Sequence, residues 1–139
     1  MSLLGYQLAQ ATVKADETFE RSAAKTFGLR KVEFTLLCLI VHNPGVKPVQ
    51  LARALSFTAP NTTSWIDKLV NKGLALRSQN ESDKRAQNLH ATALGERLAI
   101  QAGQNIQAAE HQSLQALPEA ERLMLFELLR KVARVKTPL

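Results

Sequence analysis

Apolar and small residues recur at helical spacing along the first stretch of the chain, at Leu4, Leu8, Ala11, Ala15, Thr18, Phe19, Ser22 and Ala23. That period predicts an opening helix from about Leu3 to Lys25, punctuated by Gly28. The run VEFTLLCLIVH predicts a compact second helix over roughly Lys31 to His42, closed by the turn Asn43-Pro44-Gly45. Pro48 suits the first turn of a short third helix containing LARAL, because its missing N–H costs little there. A fourth helix, within TAPNTTSWIDKLVNKG, starts from Thr58 as its N-cap. It stops at Gly73, which accepts the left-handed conformation of a helix end.

The fourth helix sorts its residues by face. At about 100° per residue, Thr62, Ile66, Leu69 and Gly73 cluster on one side. Pro60, Ser64, Asp67, Lys68 and Asn71 lie opposite, with Asn61 and Thr63 on the flanks. Two short strand candidates follow, LALRS and AQNLHA, around the polar loop QNESDKR. Thr92 then caps a long helix reaching about Ser113. A last amphipathic helix after Pro118 carries Leu125, Leu128, Leu129, Val132 and Val135. The fold class is mainly α, a winged helix-turn-helix with a small β-hairpin wing and a helical dimerisation region. The winged DNA-binding part covers residues 31–91 of one 139-residue chain, and residues 1–25 and 92–139 form the dimerisation part. In such a layout the second helix of the motif enters the major groove, and a cationic loop tip reaches the minor groove beside it.

Composition narrows the class. A chain of 139 residues is about one ordinary domain. Hydrophobic residues make up 45% and aromatics 5%, an aliphatic bias that favours helices over a β-sandwich. Eighteen basic against 12 acidic residues give +6 and a pI near 9.8, which fits a polyanionic partner. Between Leu51 and His90 six basic residues (Arg53, Lys68, Lys72, Arg77, Lys84, Arg85) face three acids (Asp67, Glu81, Asp83). That excess suits the neutralisation of a few phosphates per subunit.

Other chemistries find little support. The single cysteine, Cys38, forms no internal disulfide and points to a reducing compartment. It sits in TLLCLIV without an adjacent cation to stabilise a thiolate, so a buried structural thiol is expected rather than a redox sensor. The sequence lacks a membrane-length apolar run and a signal-peptide plan at its start, so a soluble cytoplasmic protein without membrane association is expected. His42, His90 and His111 are scattered, and no metal is expected. A Gly-rich phosphate loop, a paired His/Cys motif and a nucleophile elbow are all missing, so neither an enzyme nor a cofactor is expected.

LARALSFTAPNTTSWIDKLVNKGLALRSQNESDKRAQNLHATALG resembles the core of the MarR family, the multiple antibiotic resistance regulators. Leu69, Gly73 and Leu74 fall on that family's helix-ending pattern, Asp83 and Arg85 on its wing pair, and Thr92 and Gly95 on its exit motif. The registration needs no gaps. Three positions depart from the pattern: Ser64 stands where many members carry Arg, Ala91 replaces a Leu, and Trp65 is unusual in a recognition helix. The resemblance implies a homodimeric transcription factor on double-stranded DNA, most often a repressor. It also implies a small-molecule effector bound where the dimer helices meet the winged domain, with Phe34, Cys38, Val41 and Ile106 as candidate lining residues, although by their own pattern the four read first as plain core.

The residues themselves supply candidate roles. Pro60, Asn61, Thr63, Ser64 and Lys68 on the fourth helix, with Asp83, Lys84 and Arg85 in the wing, are the candidate DNA-binding set. Short hydroxyl and amide side chains can bond base edges, whereas Lys68 suits a phosphate. Arg85 is read as a minor-groove finger oriented by the Asp83 carboxylate. Trp65, nearer the inward side, is read as a packing residue under the wing. The termini carry more apolar surface than a small winged domain covers, at Leu4, Tyr6, Leu8, Leu123, Met124, Phe126 and Val132. Dimerisation through the paired termini would cover it and place two reading helices about one DNA turn apart, on a palindromic operator. The alternative is a winged-helix protein-interaction module without DNA binding.

Overall fold

The computed structural model describes residues 2–79, 81–83 and 85–133. Its contacts divide the described residues into a helical unit, built from residues 2–31 and 101–133, and a winged unit spanning Val32–Ile100.

In the helical unit, α1 runs over Leu4–Phe19, continues through a π-helical turn at Glu20–Ala24 and ends with Lys25–Phe27. Gly28 closes it at φ 63°, the left-handed cap its position suggested. The π turn is a departure from the uniform helix that the apolar spacing predicts. In the same stretch the Thr18 and Ser22 hydroxyls donate to the carbonyls of Lys14 and Thr18, a back-bonding pattern that bends helices.

The winged unit begins with α2, Lys31–His42, which buries Glu33, Leu36, Leu37 and Ile40. Helix α3, Pro48–Leu55, opens with Pro48 in its first turn, and the Gln50 side chain accepts the Lys47 N–H at 2.9 Å. The chain leaves α3 through Ser56 at φ 53°, a left-handed position held by a residue other than glycine. Helix α4, Ala59–Asn71, starts where Thr58 Oγ1 accepts the Asn61 N–H at 3.3 Å. Thr62, Ile66 and Leu69 are its buried residues, as the face analysis expected. Leu36, Leu37, Ile40, Leu51, Ile66, Leu69 and Leu89 form the fully buried centre of this unit. Each such side chain contributes about 1.5–3 kcal/mol by leaving water.

Strands β1, Ala75–Gln79, and β2, Gln87–Ala91, pair antiparallel in a register running from Ala75–Ala91 to Gln79–Gln87. Val46 adds an isolated bridge to Leu89, with Gly45 N–H donating to the Leu89 carbonyl at 2.8 Å. Helix α5 spans Ala93–Ser113 and α6 spans Glu119–Val132. Val135, assigned by the apolar pattern to the last helix, lies outside the described residues.

One junction fixes where the wing leaves α4. Thr92 Oγ1 donates to the Gly73 carbonyl at 2.6 Å and accepts the Gly95 N–H at 3.0 Å. Thr92 N–H also donates to the Leu74 carbonyl at 3.0 Å. A Cβ on Gly95 would stand 2.0 Å from that carbonyl oxygen, so only glycine allows this approach of α5 to the base of the hairpin. The spacing of Gly73, Thr92 and Gly95 therefore has a local physical cause. It ties the end of α4, the root of β1 and the start of α5 into one corner.

Candidate nucleic-acid interface

Helix α4 presents an exposed polar surface beside a two-stranded wing. Pro60, Asn61, Thr63, Ser64, Asp67, Lys68 and Asn71 are all exposed, with Asn61 and Thr63 on the flanks and the others opposite the buried stripe of Thr62, Ile66 and Leu69. The Thr63 hydroxyl donates back to the Ala59 carbonyl at 3.0 Å, leaving its oxygen as an outward acceptor. Asn61 and Ser64 share this N-terminal half, the part of a recognition helix that reaches base edges.

The basic residues counted in the sequence fall into two kinds. Lys72 Nζ lies 2.8 Å from the Glu33 carboxylate, whose side chain is 3% exposed. Arg77 on β1 pairs with Asp67 on α4. These two ion pairs brace α4, Lys72 at its C-terminal end to α2 and Asp67 to β1 of the wing. Among the described residues of the 51–90 segment, Arg53, Lys68 and Arg85 make no ion pair with a carboxylate. Lys68 instead rests over the Trp65 ring, its ammonium 3.9 Å from the centroid. Trp65 is half-buried, so its position is less inward than a pure packing role implies.

In the wing, Asp83 Oδ1 accepts the backbone N–H of Arg85 at 3.0 Å. The expected side-chain pairing of Asp83 with the Arg85 guanidinium is not formed. An aspartate two residues before a backbone N–H closes a turn on itself, and that local bond takes the oxygen first. Asp83 therefore shapes the loop that carries Arg85, and the Arg85 side chain stays exposed. Lys84, the remaining wing candidate, lies outside the described residues.

The candidate effector residues are spread over both units. Phe34, Cys38 and Val41 are half-buried on α2, and Ile106 is half-buried on α5 within the helical unit. Burial pushes the Cys38 thiol up to about 11, so it is protonated near neutrality and a poor nucleophile. His42 Nδ1–H donates to the Cys38 carbonyl at 2.7 Å. Among the described residues no group of three or more His, Cys, Asp or Glu could hold a metal ion. No described helix is long and apolar enough to cross a membrane.

Three parts of this surface escaped the sequence reading. Glu33 is the sole acid in a helix whose middle is mostly apolar, and that isolation was the available signal for a buried ion pair. The Asp67–Arg77 pair joins residues ten apart across a helix and a strand, which no local spacing reveals. The Trp65–Lys68 contact does follow helical spacing, three residues apart on one face.

Comparison with known proteins agrees with this geometry. Residues 29–86 match the model of the MarR family. The multiple antibiotic resistance protein MarR of Escherichia coli strain K12 is 33% identical over 101 residues, covering 72% of this chain and 70% of that protein. A transcriptional repressor, CouR, solved bound to a 23-mer DNA duplex, superposes with a TM-score of 0.84 at 28% identity, covering 94% of this chain and 92% of that one. A mutant of Escherichia coli MarR complexed with operator DNA superposes with a TM-score of 0.79 at 28% identity, covering 93% and 92%. With its helix-ending glycine, wing and exit corner in the matched fold, the chain belongs to the MarR family and is a DNA-binding transcriptional regulator.

Proposed function

We propose that the protein acts in the cytoplasm as a homodimeric, ligand-responsive repressor of a palindromic operator, without enzymatic activity. The observation that carries the DNA-reading assignment is the exposed outward face of α4 beside a wing rooted at the Gly73–Thr92–Gly95 corner. Asn61, Thr63 and Ser64 read base edges in the major groove, with Pro60 setting the first turn and Lys68 reaching a phosphate. Arg85, carried on the turn closed by Asp83, enters the minor groove.

Dimerisation is supported by the apolar residues left at the surface of the helical unit. Leu4, Tyr6 and Leu8 on α1 and Leu123, Met124, Phe126, Leu128, Leu129 and Val132 on α6 are all exposed. So many large apolar side chains exposed on two helices fit an interface better than an open surface. Repression is the role named for CouR, and it is carried to this chain as part of the proposal. The effector class is a small molecule that shifts the spacing of the two reading heads, with Phe34, Cys38 and Val41 of the winged unit as candidate lining.

Selection of duplexes from a random pool, followed by a salt titration, tests this reading. A palindromic site should emerge with half-sites about one helical turn apart. Arg53, Lys68 and Arg85 from each subunit bring about six positive charges to the duplex without a carboxylate partner, so the salt slope on random duplex should be about −5. Arg85→Ala should weaken operator binding by about 1–3 kcal/mol while leaving the thermal midpoint unchanged. A salt-independent association, or no enriched site, would overturn the assignment.

A further inference from the structure

Lys72 and Arg77 are met by carboxylates, which spend their charge inside the protein. Lys68 is held by a ring. Its ammonium lies 3.9 Å from the Trp65 centroid, well within the range at which the negative face of an indole attracts a cation. The difference matters for a phosphate contact. A carboxylate partner neutralises the charge and competes with the phosphate, whereas an aromatic face carries no net charge to offset it. The ring therefore restricts a long, flexible side chain and leaves its positive charge for DNA.

We propose that Trp65 is a positioning residue for DNA binding, a seat that presets Lys68 for a phosphate beside the major groove. The inference rests on α4 being the DNA-reading helix, and it adds a role for the indole that the packing reading of Trp65 lacks. Helical geometry supports the arrangement. Trp65 and Lys68 are three residues apart on α4, with Trp65 half-buried at the edge of the buried stripe and Lys68 on the exposed face. The partly buried ring is thus a fixed platform, and Lys68 bends back onto it. Ordering Lys68 before binding removes part of the entropic cost of fixing it in the complex. The neighbouring Asp67 does not compete for this ammonium, because its carboxylate is bound to Arg77.

The test is a double-mutant cycle on the full chain, using a random-sequence duplex of about 30 base pairs, long enough for two half-sites. Lys68→Ala should weaken binding and reduce the salt slope by about one unit per subunit, since a phosphate contact is lost. Trp65→Leu keeps an apolar side chain but removes the ring. It should weaken binding about three- to tenfold with the salt slope retained, because the charge is still delivered, only less readily. Trp65→Phe, which keeps an aromatic face, should recover most of that loss. In the Lys68→Ala background, Trp65→Leu should have no further effect.

A Trp65→Leu penalty of equal size with and without Lys68 would overturn the proposal, by showing that the indole acts through packing or touches DNA itself. Failure of Trp65→Phe to restore binding, with the fold intact by circular dichroism, would also overturn it. If Lys68→Ala leaves affinity and slope unchanged while Asn61→Ala still removes sequence preference, the seat has no function although α4 remains the reader. If Lys68→Ala leaves binding unchanged and Asn61→Ala leaves the preference for the selected operator over random duplex unchanged, the reading of α4 fails and this inference with it. Should Trp65→Leu melt at a much lower temperature, Trp65→Phe in the two Lys68 backgrounds takes its place. A small loss confined to the background that retains Lys68 then supports the seat, and an equal loss in both overturns it.

Discussion

Helices α4 and α6 are nearly equal in length, at 13 and 14 residues, yet they meet the solvent with opposite chemistry. Helix α4 buries Thr62, Ile66 and Leu69 within its own unit and exposes amides, hydroxyls and a lysine. Helix α6 buries none of its residues and leaves Leu123, Met124, Phe126, Leu128, Leu129 and Val132 at the surface. A short helix gains most of its stability from packing an apolar face, so α6 is unfinished as part of a monomer, whereas α4 is complete. An exposed polar face on a well-anchored helix is available to a polar ligand. An exposed apolar face asks for protein. On the proposed reading, the α4 surface takes DNA and the α6 surface a second copy of the chain.

The largest effect should come from breaking the α6 side of that contrast. Replacing Leu123 and Phe126 together by Glu places two charges per chain where a dimer would desolvate them, at a cost of several kcal/mol. Sedimentation at micromolar concentration should then change from roughly twice the chain mass to the monomer mass. A wild-type protein that is already a monomer would leave the apolar face of α6 without its partner and remove the reason for a palindrome.

A smaller effect sharpens the α4 side. Gly95→Ala forces a methyl group to 2.0 Å from the Leu74 carbonyl oxygen, which moves α5 or the root of the hairpin. Thermal denaturation should report a loss of about 3 kcal/mol, the upper end of what overpacking usually costs. In protein that remains folded, operator binding should fall more than melting alone explains, because the corner sets the wing beside α4. At the low end, Ser56→Gly relieves a left-handed residue between α3 and α4 and should stabilise by up to about 1 kcal/mol without altering DNA binding. A loss of stability there would mean that the Ser56 side chain contributes something beyond its backbone.

The elements were legible because each carries its own local signal. Thr58 and Thr92 cap as expected, Gly28, Gly45 and Gly73 take positive φ, and the buried stripe of α4 follows its period. The surface of α4 was legible for the same reason, since exposure is the complement of that stripe. What the pattern concealed depends on side chains meeting across elements. Glu33 reaches Lys72 from another helix, and Asp67 reaches Arg77 from a helix to a strand. Those contacts recast two of the counted cations as braces for α4. The Asp83 reading erred in a more local way, because the Asp83 carboxylate accepts the backbone N–H two residues on rather than the guanidinium it was expected to hold. The π turn in α1 was hidden because a single local change of hydrogen-bond register scarcely alters the apolar spacing.

The central claim is that the exposed face of α4 reads sequence, and one measurement addresses it directly. Affinities of the wild type, Asn61→Ala, Ser64→Ala and Lys68→Ala would be measured on the selected operator and on a scrambled duplex at several salt concentrations. Asn61→Ala and Ser64→Ala should each lower the operator-to-scrambled ratio, by about 1–3 kcal/mol where a bidentate base contact is lost, with little change on scrambled DNA. Lys68→Ala should weaken both duplexes by similar factors and flatten the salt dependence. An unchanged operator-to-scrambled ratio in both Asn61→Ala and Ser64→Ala would contradict the account.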